Sequence, residues 1–162
     1  MDFRVEIHSI NHIAYLSWFI TNHSCMDQIV SHAPQAIRIA QIAFACFFSV
    51  LFLQSGLDKL MNFRENLSWL VNHFSKTFLS AVVPVLFILL TLCELSAGVV
   101  SGYGIIELII HKSSTVAYYG AALSVLALLF LFFGQRIAKD YGGASGIVSY
   151  FIASVFALIL MA

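Results

Sequence analysis

The sequence predicts an all-α integral membrane protein, a bundle of four membrane-spanning helices with an amphipathic interfacial helix between spans one and two. Of the 162 residues, 60% are hydrophobic, 10% are charged and two are prolines, and the mean hydropathy is +0.93. Four apolar runs approach the roughly 20 residues that cross about 30 Å of hydrocarbon. The lipid bilayer is therefore the expected main partner. A net charge of zero without any basic block argues against nucleic acid as a partner.

The composition divides the chain into two parts. Residues 1–34 are polar and irregular, and their apolar run at residues 13–20 is too short to cross a bilayer. This run also lacks the basic start and the small-residue cleavage site of a signal peptide. We expect an N-terminal extension at residues 1–34, either interfacial or disordered, followed by a four-span membrane domain at residues 35–162.

The predicted spans are separated by short polar connections. Pro34 suits the first position of a helix, so it is expected to open the first span. Pro84 lies about two turns into the second apolar run, which therefore begins either with a kink or with a separate short turn. The four predicted spans are residues 36–57, 78–100, 115–134 and 144–161.

The connection between spans one and two, residues 58–77, carries the predicted amphipathic helix. Its apolar side chains fall on one helical stripe and its polar side chains on the other, which is typical of a helix lying on a membrane. Trp69 departs from the stripe and, by helical spacing, lies beside Asn66 and His73. This strip is either an interfacial aromatic anchor or the edge of a ligand site.

Glu94 is the one acidic side chain inside the predicted spans. A carboxylate there costs roughly 2.5–3.5 kcal/mol unless it is paired or turned to a polar interior. In antiparallel helices the end of span two meets the start of span one, where Arg38 and Gln41 lie. We expect an intramembrane polar centre of Arg38, Glu94 and Gln41 with an Arg38–Glu94 ion pair. Lys59, at the other end of span one, is expected not to reach Glu94 and to pair with Asp58 or lipid headgroups.

Two interpretations of this polar centre stay open. The ion pair can simply hold two helices together. Alternatively, Glu94 accepts a proton or a hydrogen bond from a quinone-like or other amphipathic headgroup, with Trp69 or Tyr103 beside it. A quinone is therefore a possible cofactor, and the possible headgroup contacts are Trp69, His73, Asn66 and Tyr103.

Cysteine and histidine spacing predicts neither a metal site nor a catalytic centre. The cysteines at positions 25, 46 and 93 form no closely spaced redox pair. None of the six histidines falls inside a predicted span, although axial ligation of a membrane haem needs imidazoles facing each other within the bundle. No catalytic residue is expected, and the chain is not expected to be an enzyme alone.

Four spans place both termini on the same side of the membrane. The first and third connections hold five basic residues, against two close to the membrane on the other side. Because basic residues favour cytoplasmic loops, both termini lean towards the non-cytoplasmic side. The basic residues of the two connections are Lys59, Arg64, Lys76, Arg136 and Lys139.

Two segments carry a resemblance to a known family. The first span and its end read RIAQIAFACFFSVLFLQSGLDKL, and the second span contains LCELSAG with Glu94 and Gly98. This pattern resembles the DoxX family of small four-helix membrane proteins over most of residues 35–162. The resemblance implies a multi-pass protein of the bacterial cytoplasmic membrane. Relatives in that family are linked to a terminal quinol oxidase, to thiosulfate and quinone chemistry, or to oxidative-stress complexes.

The expected function is that of a small membrane subunit. We expect an accessory component of a redox-linked, quinone-linked or envelope complex, which has other membrane-protein subunits as partners. The alternative is a self-contained membrane protein that binds a quinone or transports a small solute. For transport, the third and fourth predicted spans offer no ionisable side chain to line a polar path.

Overall fold

The protein is described by a computed structural model, which gives the backbone of residues 3–162 and the side chains of residues 32–162. Over these residues it contains helices and turns and no strand. The helices are α1 (Phe3–Met61), α2 (Phe63–His73), α3 (Val83–Ile110), α4 (Thr115–Ile137) and α5 (Tyr141–Met161). Four apolar segments are long enough to cross a membrane: His32–Met61 of α1, and the whole of α3, α4 and α5. The predicted all-helical class with four long apolar helices is therefore confirmed.

The helix boundaries differ from the prediction at both prolines. Pro34 lies inside α1 and does not begin it, so the helix start expected there is wrong. Of the two alternatives at Pro84, the structure has the separate turn. Residues 75–82 form successive turns, with Val82 N–H donating to the Leu79 carbonyl over 2.9 Å, and α3 begins at Val83 with the proline in its first turn. A proline there loses no hydrogen bond because the first N–H groups of a helix have no partner within it.

The end of the second apolar helix lies further along the chain than predicted. The helix α3 continues to Ile110, ten residues beyond the expected end at Val100. At 1.5 Å per residue this adds about 15 Å to the helix. The added segment contains Glu107, a second acidic side chain within α3.

The unit formed by Ile39–Ala162 has a core of small residues at helix contacts. A Cβ added to Gly98 would lie 2.8 Å from the backbone nitrogen of Leu53 on α1, and one added to Gly104 would lie 2.7 Å from Cα of Ala117 on α4. Such distances leave no room for a methyl group, so the glycines set how closely α3 approaches its neighbours. The helix α4 also packs against α5.

Aromatic side chains fill the remaining contacts of this unit. The rings of Phe44 on α1 and Phe156 on α5 lie 5.8 Å apart, and Phe63 of α2 lies 5.2 Å from Phe87 of α3. Phe48 and Phe52 of α1 are almost completely buried. Many large apolar side chains of α3, α4 and α5 are exposed instead, as expected of helix faces that meet lipid or another subunit.

The unit formed by Met1–Arg38 includes the start of α1. The side chains of residues 1–31 lie outside the described part of the chain. The interfacial or disordered extension expected at residues 1–34 falls mainly on these residues and stays a prediction.

Candidate ligand cavity and buried ion pair

Glu94 forms a salt bridge with Lys59. The side chain of Glu94 is 0% exposed, that of Lys59 is 17% exposed, and Lys59 Nζ lies 2.8 Å from Glu94 Oε2. The ammonium also donates to Ser55 Oγ over 2.7 Å. The ammonium lies at hydrogen-bonding distance from Oε2, whereas Oε1 has no hydrogen bond among the described residues. Lys59 therefore neutralises the charge of Glu94 and leaves acceptor capacity mainly on Oε1.

This geometry corrects two expectations from the sequence. Lys59 was expected not to reach Glu94, which is wrong, and the salt bridge that the structure gives Glu94 is with Lys59 rather than with Arg38. The reason is the length of α3. Because this helix runs from Val83 to Ile110, Glu94 lies closer to its start than to its end. The helices α1 and α3 run antiparallel, with Gly98 of α3 against Leu53 of α1. The last turn of α1, where Lys59 lies, therefore meets the first half of α3, and the two charges come together there.

Gln41 and Asp58 have partners outside this pair. Gln41 donates through Nε2 to the carbonyl of Leu160 over 2.9 Å, which joins α1 to the last turn of α5. Asp58 does not pair with Lys59 and instead accepts from Asn62 over 2.8 Å and from Asn66 over 3.4 Å. The Asn66 bond therefore links α2 to the last turn of α1.

A cavity of about 300 Å³ lies between α2, α3 and α4. Its walls are mostly apolar, with leucine, valine and phenylalanine side chains from α3 and α4. Trp69, Leu70, His73 and Phe74 form the wall on the α2 side, and Gln135 contributes the second polar side chain. A mostly apolar cavity of this size with a few polar groups is typical of a site for a small ligand or a headgroup.

Two polar atoms of the cavity lining have no partner. Nε2 of His73 and Oε1 of Gln135 are buried, and neither forms a hydrogen bond to any described residue. A buried polar group without a partner costs about 1–3 kcal/mol. A ligand hydroxyl or carbonyl in the cavity removes this cost once a side-chain rotation brings these atoms to the cavity surface, because such an oxygen accepts from an imidazole N–H and a hydroxyl donates to an amide oxygen.

The predicted aromatic and polar strip is partly assembled at this cavity. The rings of Trp69 and His73 stack with their centres 4.6 Å apart and a 16° angle between planes, and both line the cavity. Stacking fixes the orientation of the imidazole. Asn66 points to Asp58, and Tyr103 is 60% exposed on α3; neither belongs to the lining. Their role as headgroup contacts stays a prediction.

The cavity and the ion pair lie next to each other along α3. Leu90 lines the cavity, and Glu94 follows it by four residues, so both side chains lie on one helix face. Between them, Thr91 is buried and its hydroxyl donates to the Phe87 carbonyl over 2.8 Å. The ion pair is therefore about one helical turn beyond the wall of the cavity.

Sequence reasoning missed Gln135 and Glu107. Gln135 was assigned to a connection, and nothing in the sequence relates it to His73, which lies on a different helix. Glu107 accepts a hydrogen bond from the backbone N–H of Val116 over 2.7 Å, and so caps the start of α4. The signal available in the sequence was the short separation between Glu107 and the predicted start of the third span at residue 115.

Comparisons with known proteins give no relative for this chain. No protein-family profile matches it, and neither a curated protein nor a solved structure is significantly similar to it.

Proposed function

We propose that this chain is a small integral membrane subunit that binds the ring headgroup of a quinone-like amphipathic molecule in the cavity beside α2. The observation that carries the proposal is that His73 and Gln135 line an otherwise apolar cavity, and each has a buried polar atom without a partner among the described residues. A quinol hydroxyl can accept from the imidazole or donate to the amide oxygen. The apolar walls suit a hydrophobic ring or tail.

Each part of the site has a distinct task in this proposal. His73, held by its stack on Trp69, orients the headgroup oxygen. The aromatic and leucine side chains exclude water from the ring. Glu94, one turn away, pairs with Lys59 through Oε2 and can hold a proton at Oε1, which has no hydrogen bond among the described residues. When bound, a quinone supplies the redox chemistry, which these side chains do not themselves perform.

The wider setting rests on the same proposal together with the DoxX resemblance. We place the chain in the bacterial cytoplasmic membrane as a four-helix bundle, with α2 as an amphipathic helix at the interface. Both termini lie on the same side, leaning non-cytoplasmic, because the basic residues concentrate in the first and third connections. The exposed apolar faces of α3, α4 and α5 suit contact with the subunits of a redox-linked or envelope complex, in which this chain is an accessory component.

The cavity also supports a second candidate, a self-contained quinone-binding protein without partner subunits. Both candidates use the same His73 and Gln135 contacts. They differ only in whether other proteins contact the exposed helix faces.

Purification of the tagged protein in mild detergent tests both candidates. Mass spectrometry of the co-purified proteins and of an organic extract should show bound quinone and stoichiometric oxidoreductase or envelope subunits. Quinone without protein partners selects the self-contained alternative. Ordinary phospholipid alone, with neither quinone nor subunits, contradicts the proposal.

A matched pair of variants assigns the site. His73→Phe preserves the aromatic stack but removes Nε2, so bound quinone should fall at least tenfold. Tyr150→Phe removes a hydroxyl from an exposed position on α5, outside the cavity, and should leave the quinone content unchanged. Equal loss in both variants, or retention in both, contradicts binding at this cavity.

A further inference from the structure

A second, more polar depression lies beside the cavity at the ends of the apolar helices. It has a volume of about 660 Å³ and is formed by the α2–α3 turn and the α4–α5 turn, including Lys76, Phe78 and Lys139. His73 lines both this depression and the cavity. The α2–α3 turn precedes Val83 and the α4–α5 turn follows Ile137, so the depression lies where the long apolar segments end.

The charge of this depression is positive. Lys76 and Lys139 line it, and neither forms a salt bridge among the residues whose side chains are described. The neighbouring acidic residue Asp140 does not line the depression, and its Oδ1 accepts from the backbone N–H of Gly143 over 2.9 Å. Arg136 lies over the ring of Tyr141 at 4.8 Å. Two ammonium groups are therefore left for an anion that approaches from outside the chain.

Lys139 occupies a backbone position that normally favours glycine. Its φ is 61°, and the N–H groups of Lys139 and Asp140 donate to the carbonyls of Arg136 and Gln135 over 3.2 and 2.9 Å. These two bonds form the Schellman motif that ends α4, in which the left-handed residue is usually glycine. A lysine there is less stable than glycine, and residues held in costly conformations are a reason to look for function.

An apolar side chain completes the site. Phe78 is 78% exposed and belongs to the same depression as Lys76. A phenylalanine beside two lysines at the end of apolar helices matches a phospholipid at the level of its glycerol, with the phosphate at the ammonium groups and the acyl chains towards the bilayer.

We infer that this depression, the basic depression, binds the phosphate of an anionic phospholipid between Lys76 and Lys139. The occupant is a lipid rather than a free anion because the depression adjoins apolar helix ends and the exposed Phe78. This inference concerns a different ligand from the headgroup cavity and rests on Lys76 and Lys139, which do not line that cavity, although His73 lines both. It holds whether or not the cavity binds a quinone.

Native mass spectrometry of the purified full chain tests the inference, with phosphatidylglycerol or phosphatidylcholine added to the detergent at low salt. The wild type should bind phosphatidylglycerol more tightly than phosphatidylcholine. Each lysine near an anionic surface contributes roughly fivefold in affinity, so Lys139→Gly and Lys76→Gln should each weaken phosphatidylglycerol binding by about this factor and leave phosphatidylcholine binding unchanged. Equal affinity of the wild type for both lipids would overturn the inference.

Lys112→Gly is the matched control. Lys112 also has a left-handed backbone, with φ 56°, but it lies in the connection between α3 and α4 at the other end of these helices. Both glycine variants lose one charge and relieve the same backbone cost, so both should raise the melting temperature. Only Lys139→Gly should weaken lipid binding. An equal effect of the two variants on phosphatidylglycerol affinity contradicts a local site.

A competition arm separates a lipid from a free anion. Inorganic phosphate or glycerol phosphate in large excess should not displace phosphatidylglycerol, because neither carries acyl chains. Complete displacement by either soluble anion would overturn the assignment of a lipid. Loss of both the lipid preference and the quinone content in the Lys139→Gly variant would show one shared site and overturn the separate basic depression.

Discussion

The two ends of the helix array use their polar side chains differently. At the end where α3 turns into α4, Gln41 and Ser114 donate to the last carbonyls of α5 over 2.9 and 3.0 Å, and Glu107 accepts from the N–H of Val116. At the α2 end, Nε2 of His73 and Oε1 of Gln135 are buried without a partner among the described residues. Glu107, Gln41 and Ser114 at the first end therefore complete helix termini, whereas His73 and Gln135 at the second end keep polar atoms without such a partner among the described residues.

The difference follows from what helix ends need inside a membrane. Terminal N–H and C=O groups have no partner within their own helix and must be satisfied by other groups. The α3–α4 end does this with side chains. At the α2 end, backbone turns share this task with side chains: the Schellman motif at Lys139 ends α4, and Asp140 accepts from the N–H of Gly143 at the start of α5. His73 Nε2 and Gln135 Oε1 take no part in this closure among the described residues.

The largest expected effect comes from breaking the ion pair near the α2 end. Lys59→Met leaves the completely buried carboxylate of Glu94 without its counter-charge. The free energy of unfolding should fall by about 3–5 kcal/mol. Denaturant titration in detergent micelles measures this. The double variant with Lys59→Met and Glu94→Met should recover most of the loss, since no charge then remains buried. A single variant as stable as the wild type would show that the carboxylate finds another partner.

The next effect concerns the glycine contact near the α3–α4 end. Gly104→Ala places a methyl group 2.7 Å from Cα of Ala117, and backbone atoms cannot rotate away. The free energy of unfolding should fall by about 1–3 kcal/mol. Gly146→Ala is the control because an added Cβ there meets no atom within 4 Å. This control should be stabilised by roughly 0.5–1 kcal/mol through helix propensity. Destabilisation of both variants alike would mean that crowding is not the cause.

A smaller effect is expected from the cap at the α3–α4 end. Glu107→Ala removes the acceptor of the Val116 N–H, so the free energy of unfolding should fall by about 1 kcal/mol. Glu65→Ala removes an exposed carboxylate of α2 that forms no salt bridge within the described part of the chain. Its effect should stay within about 0.5 kcal/mol. If both variants lose the same stability, the cap does not hold α4.

The last prediction applies one substitution at both ends. Gln135→Met removes an amide oxygen that has no partner among the described residues, so the protein without ligand should gain up to about 1 kcal/mol of stability. Gln41→Met removes the bond to the Leu160 carbonyl and should cost about 1 kcal/mol. Thermal unfolding of the two variants after ligand extraction gives the signs. If both variants gain stability, or if both lose it, the contrast between the two ends is contradicted.

The apolar helices were predictable from the sequence because a helix that faces hydrocarbon needs about 20 consecutive apolar residues, which the hydropathy shows without knowledge of the packing. Their exact ends were not. Ser101, Gly102, Gly104 and Glu107 make the last part of α3 look polar, yet Ser101 and Gly104 are buried against other helices. The length of α3 decides which end of α1 meets Glu94. The end of this helix was predicted ten residues too early. The sequence therefore predicted Arg38 as the partner of Glu94, where the structure has Lys59.

The cavity lay beyond sequence reasoning for a different reason. Trp69 and His73 share a helix face, so their spacing predicts their contact. Gln135 reaches the same cavity only because α4 packs against α3 beside α2. Such contacts between distant segments depend on the packing of the helices, and no local pattern encodes them.

The order of the two charges along the chain bears on how the protein is made. Lys59 leaves the ribosome before Glu94, so α1 enters the membrane while its counter-ion is still unsynthesised. A lysine at a helix end can extend its amine to the headgroups during this interval. The Glu94 side chain is shorter and lies well inside α3, so its carboxylate cannot reach the headgroups. Lys59, whose amine can stay hydrated at the headgroups, is synthesised first. When Glu94 enters the membrane, its counter-ion is already present, and we expect this order to favour insertion.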